Sequence, residues 1–240
     1  MDDAAPKQTS SATGSPAKPH YHGHRARLRQ RLIAQGADSL HDYELLEMLL
    51  WAANPRGDTK PLAKDLLARF GDFAHVVSAE PDRLMEVKGI GETAVAAIKA
   101  VEGAAIRLTR TRALKRHVLS SWDALLDYCR ADMAYRKTEQ FRLLFLDRKN
   151  VLIADELQQR GTVDHTPVYP REVVKRALQL EASAIIMVHN HPSGDPMPSS
   201  ADIDMTMKVR DAAKAVGITL HDHLVIGKGK EISFRSAGLI

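Results

Sequence analysis

The sequence predicts a multi-domain chain: an all-α N-terminal domain over residues 23–114, then an α/β domain with a mixed sheet over residues 118–240. Three observations lead there. From Arg25 to about Leu114 the apolar residues recur at helical spacing. Beyond Val118, short runs of Val, Ile, Leu and Phe alternate with helical patterns, as in a sheet covered by helices. The 240 residues give room for two small domains.

Each element has its own signal. Residues 1–22 are rich in Ser, Pro, Ala and Lys and poor in large apolar side chains, so a disordered tail is expected. Leu28, Leu32 and Ile33 mark a first helix, and Tyr43, Leu45, Leu46, Leu49 and Leu50 a second, before a break at Asn54-Pro55-Arg56-Gly57. Helices follow over Lys60 to Phe70, ended by Gly71, over Pro81 to Val87, and over about Glu92 to Arg112. Phe141 to Leu146 and Val151 to Ala154 flank the turn-forming Asp147-Arg148-Lys149-Asn150 and predict a β-hairpin. A helix from Arg171 to Leu180, a buried strand from Ala184 to Val188, a helix from Ser200 to Val216 ended by Gly217, and a strand from Ile218 to Ile226 complete the order. No repeat of fixed period supports a solenoid.

Composition excludes several classes. A chain with 44% hydrophobic and 27% charged residues is not disordered throughout. The single cysteine, Cys129, permits neither an intramolecular disulfide nor an all-cysteine metal site, which points to a reducing, cytoplasmic setting. The N-terminus lacks a signal-peptide pattern, and no run approaches the ~20 apolar residues of a membrane helix, so a soluble protein with no membrane partner is expected. The net charge of +4 lies in the first half, where residues 1–120 carry 18 Lys/Arg against 14 Asp/Glu while residues 121–240 carry 16 of each. Arg25, Arg27, Arg29 and Arg31, and then Arg107, Arg110, Arg112, Lys115 and Arg116, form basic clusters suited to a polyanion or to a solvated helix face.

Lys88-Gly89-Ile90-Gly91 lies between two helix-forming stretches. The glycines permit backbone conformations closed to other residues and a close approach by a partner. The helix that follows offers free N–H groups to a phosphate oxygen, and Lys88 adds a charge. The segment resembles a helix-hairpin-helix, with Ile90, Ala94 and Ile98 on its packing face, and this implies sequence-independent binding of duplex DNA through Lys88, Gly89 and Gly91. A tight turn that only packs two helices is the other reading of the same residues. Sparse aromatic residues argue against base stacking on single strands.

The richest stretch runs from Val188 to Asp202. His189 and His191 leave a buried strand one residue apart and can point their imidazoles to the same side. A Pro/Gly-rich loop turns the chain, and Ser199 opens a helix with Asp202 in its first turn. Two imidazoles and a carboxylate fill three positions around Zn²⁺ and leave a fourth for water, the open site that a hydrolase needs. Separately, Ser199 and Asp202 also fit a helix N-cap, and His-x-His pairs occur as satisfied polar residues.

His-x-His-Pro, seven residues from that Pro onward, then Ser-x-x-Asp is the JAMM signature of MPN-type zinc hydrolases, which the chain therefore resembles. Together with Tyr169-Pro170-Arg171-Glu172-Val173-Val174 and Asp222-His223-Leu224-Val225-Ile226-Gly227, it is similar to the bacterial RadC family, named for DNA repair. The resemblance covers about residues 23 to 240. It implies zinc ligation by His189, His191 and Asp202, help to a tetrahedral oxyanion from Ser199, and a glutamate on a preceding element as general base. Glu139, just before the strand Phe141 to Leu146, is the choice for that base; Glu172, in a helical first turn, is the competitor. Asn190 stands where eukaryotic JAMM peptidases commonly have Ser or Thr, so their substrates do not transfer.

His221 and His223 form a second pair expected on one strand face, as surface groups or as hydrogen-bond partners behind the ligands. The resulting expectation is a zinc metallohydrolase acting on an amide or isopeptide bond in an unknown protein or peptide. The alternative is a DNA-associated binding protein with a structural or vestigial metal site. A metal nuclease ranks third, because two-metal phosphodiester chemistry calls for more convergent carboxylates.

Overall fold

The computed structural model describes residues 23–114, 122–160 and 168–240. The expected tail, residues 1–22, lies outside the described residues, as do Lys115 and Arg116 of the second basic cluster.

The N-terminal unit is helical: α1 (His24–Gln35), α2 (Asp42–Leu50), α3 (Lys60–Phe70), α4 (Phe73–Ser78), α5 (Pro81–Met85) and α6 (Glu92–Leu114). Helix α3 ends at Gly71 with φ of 105°, where a side chain would be strained. Its core gathers Leu46, Leu50, Leu66, Val76, Leu84, Ile90, Ala94 and Ile98, so the apolar spacing read for these helices is the spacing they bury. Ile33 is an exception at 84% exposed; in α1 only Leu28 is buried. Short α4 carries no strong periodicity and is made by its Asp72 cap, which accepts from the His75 N–H at 2.8 Å.

The first arginine cluster is used inside this unit. Arg25 donates to the carbonyls of Asn54 (2.8 Å), Pro55 (2.5 Å) and Gly57 (2.6 Å), closing the break after α2. Arg25 and Arg29 also lie over the Trp51 ring, and Arg31 pairs with buried Glu44. Arg25 thus holds the loop that the Asn-Pro-Arg-Gly break creates, while Arg27 and Arg29 stay exposed on the helix.

The C-terminal unit has the order α7 (Trp122–Met133), β1 (Gln140–Leu146), β2 (Leu152–Arg160), α8 (Pro170–Gln179), β3 (Ala184–Asn190), α9 (Ser200–Ala215), β4 (Thr219–Ile226) and β5 (Glu231–Ser233). The sheet runs β2-β1-β3-β4-β5; β3 and β4 pair parallel and the other neighbours antiparallel, so the sheet is mixed as expected. One face packs Leu144, Ile186, Val188 and Leu224 against α7. The other packs Phe141, Leu143, Ile185 and Met187 against Val173 of α8 and Val209 of α9. With both faces covered, β3 is buried along its whole length, which explains its continuous apolar run.

Three features go beyond the sequence reading. Helix α7 is missing from it: Leu125, Tyr128, Cys129 and Met133 bury a stripe, but Asp123, Asp127 and Arg130 interrupt the apolar pattern. Strand β2 continues past Ala154 through polar residues to Arg160 because it is a sheet edge paired only with β1. Short β5 is held by pairing with β4. A buried polar group ties α7 to the hairpin: Arg142 donates to Asp132 (2.5 Å) and Asp155 (2.6 Å), and Tyr128 donates to Asp155. The two units meet where Ile106 of α6 leans on the α7 core and Arg136 faces Glu102 at 3.9 Å.

Candidate metal centre

His189 and Asn190 end β3, and His191 begins the loop that follows. Because β3 is the central strand and α9 packs on the same face, the first turn of α9 is carried over the strand end. Ser199 caps that helix: its Oγ accepts from the Asp202 N–H at 3.2 Å, and Asp202 Oδ2 accepts from the Ser199 N–H at 2.7 Å and hydroxyl at 2.6 Å. The cap orients the Asp202 carboxylate toward the histidines.

His189 Nε2 lies 3.0 Å from His191 Nε2 and 3.5 Å from Asp202 Oδ1, and His191 Nε2 lies 3.8 Å from Asp202 Oδ2. These separations bracket the edge of a tetrahedron with bonds of about 2.0 Å, which is about 3.3 Å. The three residues are the one group among the described residues whose donor atoms converge in this way.

The hydrogen bonds behind the ligands decide which lone pairs face the centre. Thr206 Oγ1, one turn beyond Asp202 on α9, is 2.5 Å from the Asp202 carbonyl, which can only accept, so the threonine donates. The hydroxyl oxygen is then the acceptor for His223 Nδ1–H at 2.6 Å. His223 Nε2 in turn accepts from His189 Nδ1–H at 2.8 Å, and the His189 Nε2 lone pair is left pointing at the site. His191 is fixed in the same sense, because its Nδ1 faces the Asp195 carbonyl at 2.8 Å and must donate. Two imidazole lone pairs and a carboxylate thus converge with no donor between them. A divalent cation fits this donor set.

Electrostatics agree with that geometry. Burial drives the His189 imidazole down to about 4, so it stays neutral. His223, fully enclosed, is held well below its ordinary value by burial and by the neighbouring imidazole. Burial pushes the Asp202 carboxyl up, but its contact with His191, the neighbouring His189 ring and hydrogen bonds from Ser199 outweigh it, so the group lies below the usual carboxylate range. His191 is raised, first by its contact with Asp202 and in smaller part by the charge of Glu139.

Glu139 is half-buried immediately before β1. The antiparallel register that sets Phe141 opposite His189 carries Glu139 to the level of His191. Its loop is fastened by Asn190: Oδ1 accepts from the Gln140 N–H at 2.9 Å, and Nδ2 donates to the carbonyls of Thr138 (3.2 Å) and Arg136 (3.4 Å). Glu172 is exposed in the first turn of α8 and faces Arg171 and Lys175.

His221 and His223 do not share a face. A register shift between Ile185 and Ile186 skips His221, breaking the two-residue alternation. His223 lies between Phe141 and Phe234, its ring tilted to both, and reaches α9, whereas His221 bonds Asn150 at 2.6 Å and lines a recess with Trp122 on the α7 side. Sequence reasoning also missed Asn190, Thr206 and the Asp195 carbonyl as supports. Only Thr206 carried a signal, its spacing of four from Asp202 on a helix.

In the helical unit, Gly89 has φ of 95° and Ile90 is buried beneath the turn, while Lys88 is exposed and nothing crowds Gly91. No helix among the described residues is long and apolar enough to cross a membrane.

A mixed sheet between helices, with a His-x-His strand end facing a Ser-x-x-Asp helix start, defines an α/β domain of the JAB type with a candidate metal site. The family model of the RadC-like JAB domain matches residues 119–239, and that of UPF0758 N-terminal matches residues 22–96. The chain is 66% identical over 213 residues to a UPF0758 protein of Rhodobacter capsulatus, covering 89% of this chain and 100% of that relative. It is 61% identical over 217 residues to a UPF0758 protein of Ruegeria pomeroyi, covering 90% and 97%. The chain belongs to the RadC-like JAB domain family.

Proposed function

We propose that this protein is a zinc-dependent hydrolase of amide or isopeptide bonds in a protein or peptide substrate, with His189, His191 and Asp202 as the ligands. The observation that carries the proposal is the set of lone pairs fixed toward one point by the Thr206–His223–His189 chain and by the Asp195 carbonyl. A zinc ion held by His189, His191 and Asp202 would supply a water whose pKa is lowered to about 7 and a Lewis acid for the scissile carbonyl. Glu139, beside His191, takes a proton from the attacking water and returns it to the leaving amine as the C–N bond breaks. Ser199, exposed at the start of α9, would turn its hydroxyl from Asp202 to the developing oxyanion.

The test starts from elemental analysis of the purified chain. One zinc per chain is expected, lost in His189→Ala and Asp202→Ala. Glu139→Gln should keep the metal and lose turnover on a fluorogenic peptide library. Protein without zinc, or alanine variants that retain a full equivalent, removes the basis of the proposal. A fourth protein ligand seen by X-ray absorption would mark a structural ion in a DNA-associated protein instead. The exposed Lys88, Gly89 and Gly91 of the turn over buried Ile90 support a further part of this reading, a sequence-independent contact with duplex phosphates.

A further inference from the structure

A second recess opens beside the metal centre. Arg69 and Phe70 of α3, His75 of α4 and Arg83 of α5 form one wall, and Tyr135, Arg136, Lys137, Pro192 and Lys228 form the other. Its volume is about 230 Å³. The wall from the sheet domain is continuous with the candidate site. Lys137 is two residues before Glu139, Pro192 directly follows His191, and the Lys228 N–H donates to the Gly194 carbonyl at 3.0 Å, while the Gly194 N–H donates to the His191 carbonyl at 2.9 Å.

The charge of this recess is one-sided. Five arginine or lysine side chains line it and no carboxylate does. Arg69 and Arg83 share Glu86 outside the lining, and Arg136 faces Asp132 and Glu102. Lys137 and Lys228 are exposed and pair with no acidic side chain among the described residues. Between the cations the floor is apolar: Phe70, Pro192 and Tyr135, whose ring meets His75 edge-on across the two units at 4.9 Å.

We infer that this groove docks an acidic, extended segment of the substrate chain and leads it to the metal site. The inference rests on the hydrolase reading for its end point, but the docking itself is measurable without turnover. The groove is smaller than the roughly 300–1,000 Å³ of enclosed small-molecule sites. It takes a narrow strip of chain with one or two side chains, whose carboxylates meet Lys137 and Lys228 while the backbone crosses the apolar floor.

The experiment uses the full zinc-loaded chain carrying Glu139→Gln, with fluorescence anisotropy of a labelled Gly/Ser peptide bearing a run of Glu, and of its Gln counterpart. Several exposed charge pairs acting together give the Glu peptide about a tenfold preference at low ionic strength. The preference shrinks as salt shortens the Debye length. K137E/K228E abolishes it and K137Q/K228Q reduces it, with zinc content reporting that the metal loop is intact. K208E/K214E, the same charge change on the exposed face of α9, keeps it.

Equal binding of the two peptides, or a preference that survives K137E/K228E, overturns the inference. So does a labelled duplex that binds through Lys137 and Lys228 when the Glu peptide does not, which would assign the groove to nucleic acid. Absence of zinc or turnover in the parent chain, with the Glu preference intact, overturns the hydrolase reading and leaves the acidic groove standing. Zinc and turnover without any charge preference overturn the groove alone.

Discussion

Replacing Thr206 by valine tests the hydrogen-bond chain behind the metal ligands. Valine preserves the shape of the side chain and removes one hydroxyl, which accepts from His223 Nδ1–H at 2.6 Å and donates to the Asp202 carbonyl at 2.5 Å. Thr206 and His223 are both fully buried, so no water replaces the lost partner without rearrangement. The orphaned donor costs about 1–3 kcal/mol of stability.

The consequence for the proposed metal follows from the tautomer. Without the threonine, His223 can shift its proton to Nε2 and donate to His189 Nδ1, and His189 then carries its own proton on Nε2, the nitrogen proposed to bind zinc. Loss of such an outer partner typically weakens a metal about 10–100-fold, equivalent to about 1.4–2.7 kcal/mol. Zinc affinity is read by competition with a chromophoric chelator, and stability by denaturant melts with zinc and with EDTA. T206S, which keeps the hydroxyl, should bind zinc like the parent. A folded T206V that binds zinc within about twofold of the parent would refute the tautomer argument.

Three further outcomes are expected. In EDTA, stability should fall as pH drops from about 6.5 to about 4: the unfolded chain protonates His189 below its ordinary value of 6.5 while the folded chain resists to about 4, so the unfolded state binds more protons in that window. The His189 contribution is on the order of 3 kcal/mol, reinforced by His223 and partly opposed by His191, whose value is raised. Denaturant melts across this range check it, and a flat profile would count against the burial argument. N190A should retain zinc, cost about 1–3 kcal/mol through the unpaired Gln140 N–H, and speed hydrogen exchange in residues 136–140; unchanged exchange there would show that Asn190 does not hold the Glu139 loop. The full chain should bind two unrelated duplexes equally and lose affinity steeply with salt, with K88A lowering the salt slope by about one phosphate contact. Absence of binding at low ionic strength would make the Gly89–Gly91 turn a packing device.

Local chemistry made much of this protein legible in its sequence. The helices whose apolar stripes face a core, the buried run of β3, and the terminators Gly71 and Gly217 are written in short-range patterns, because periodicity and backbone freedom act within a few residues. The convergence of the candidate ligands was legible for the same reason: His189 and His191 leave one strand end, and Asp202 sits in the first turn of a capped helix. Helix α7 was hidden by the charges on its exposed side, and β2 beyond Ala154 by its polar edge, since pairing rather than composition makes an edge strand.

What only the tertiary structure decided is what stands behind and beside the ligands. The register shift opposite Ile185 and Ile186 separates His221 from His223 and turns the latter toward His189. Packing of α9 over the sheet brings Thr206 to His223, and the β1–β3 register brings Glu139 to the level of His191. The basic groove exists only because α3, α4 and α5 face the metal loop. Sequence spacing fixes which residues a strand or helix can present together, but contacts between elements depend on register and packing, which are set by the whole buried interface and not by any local run of residues.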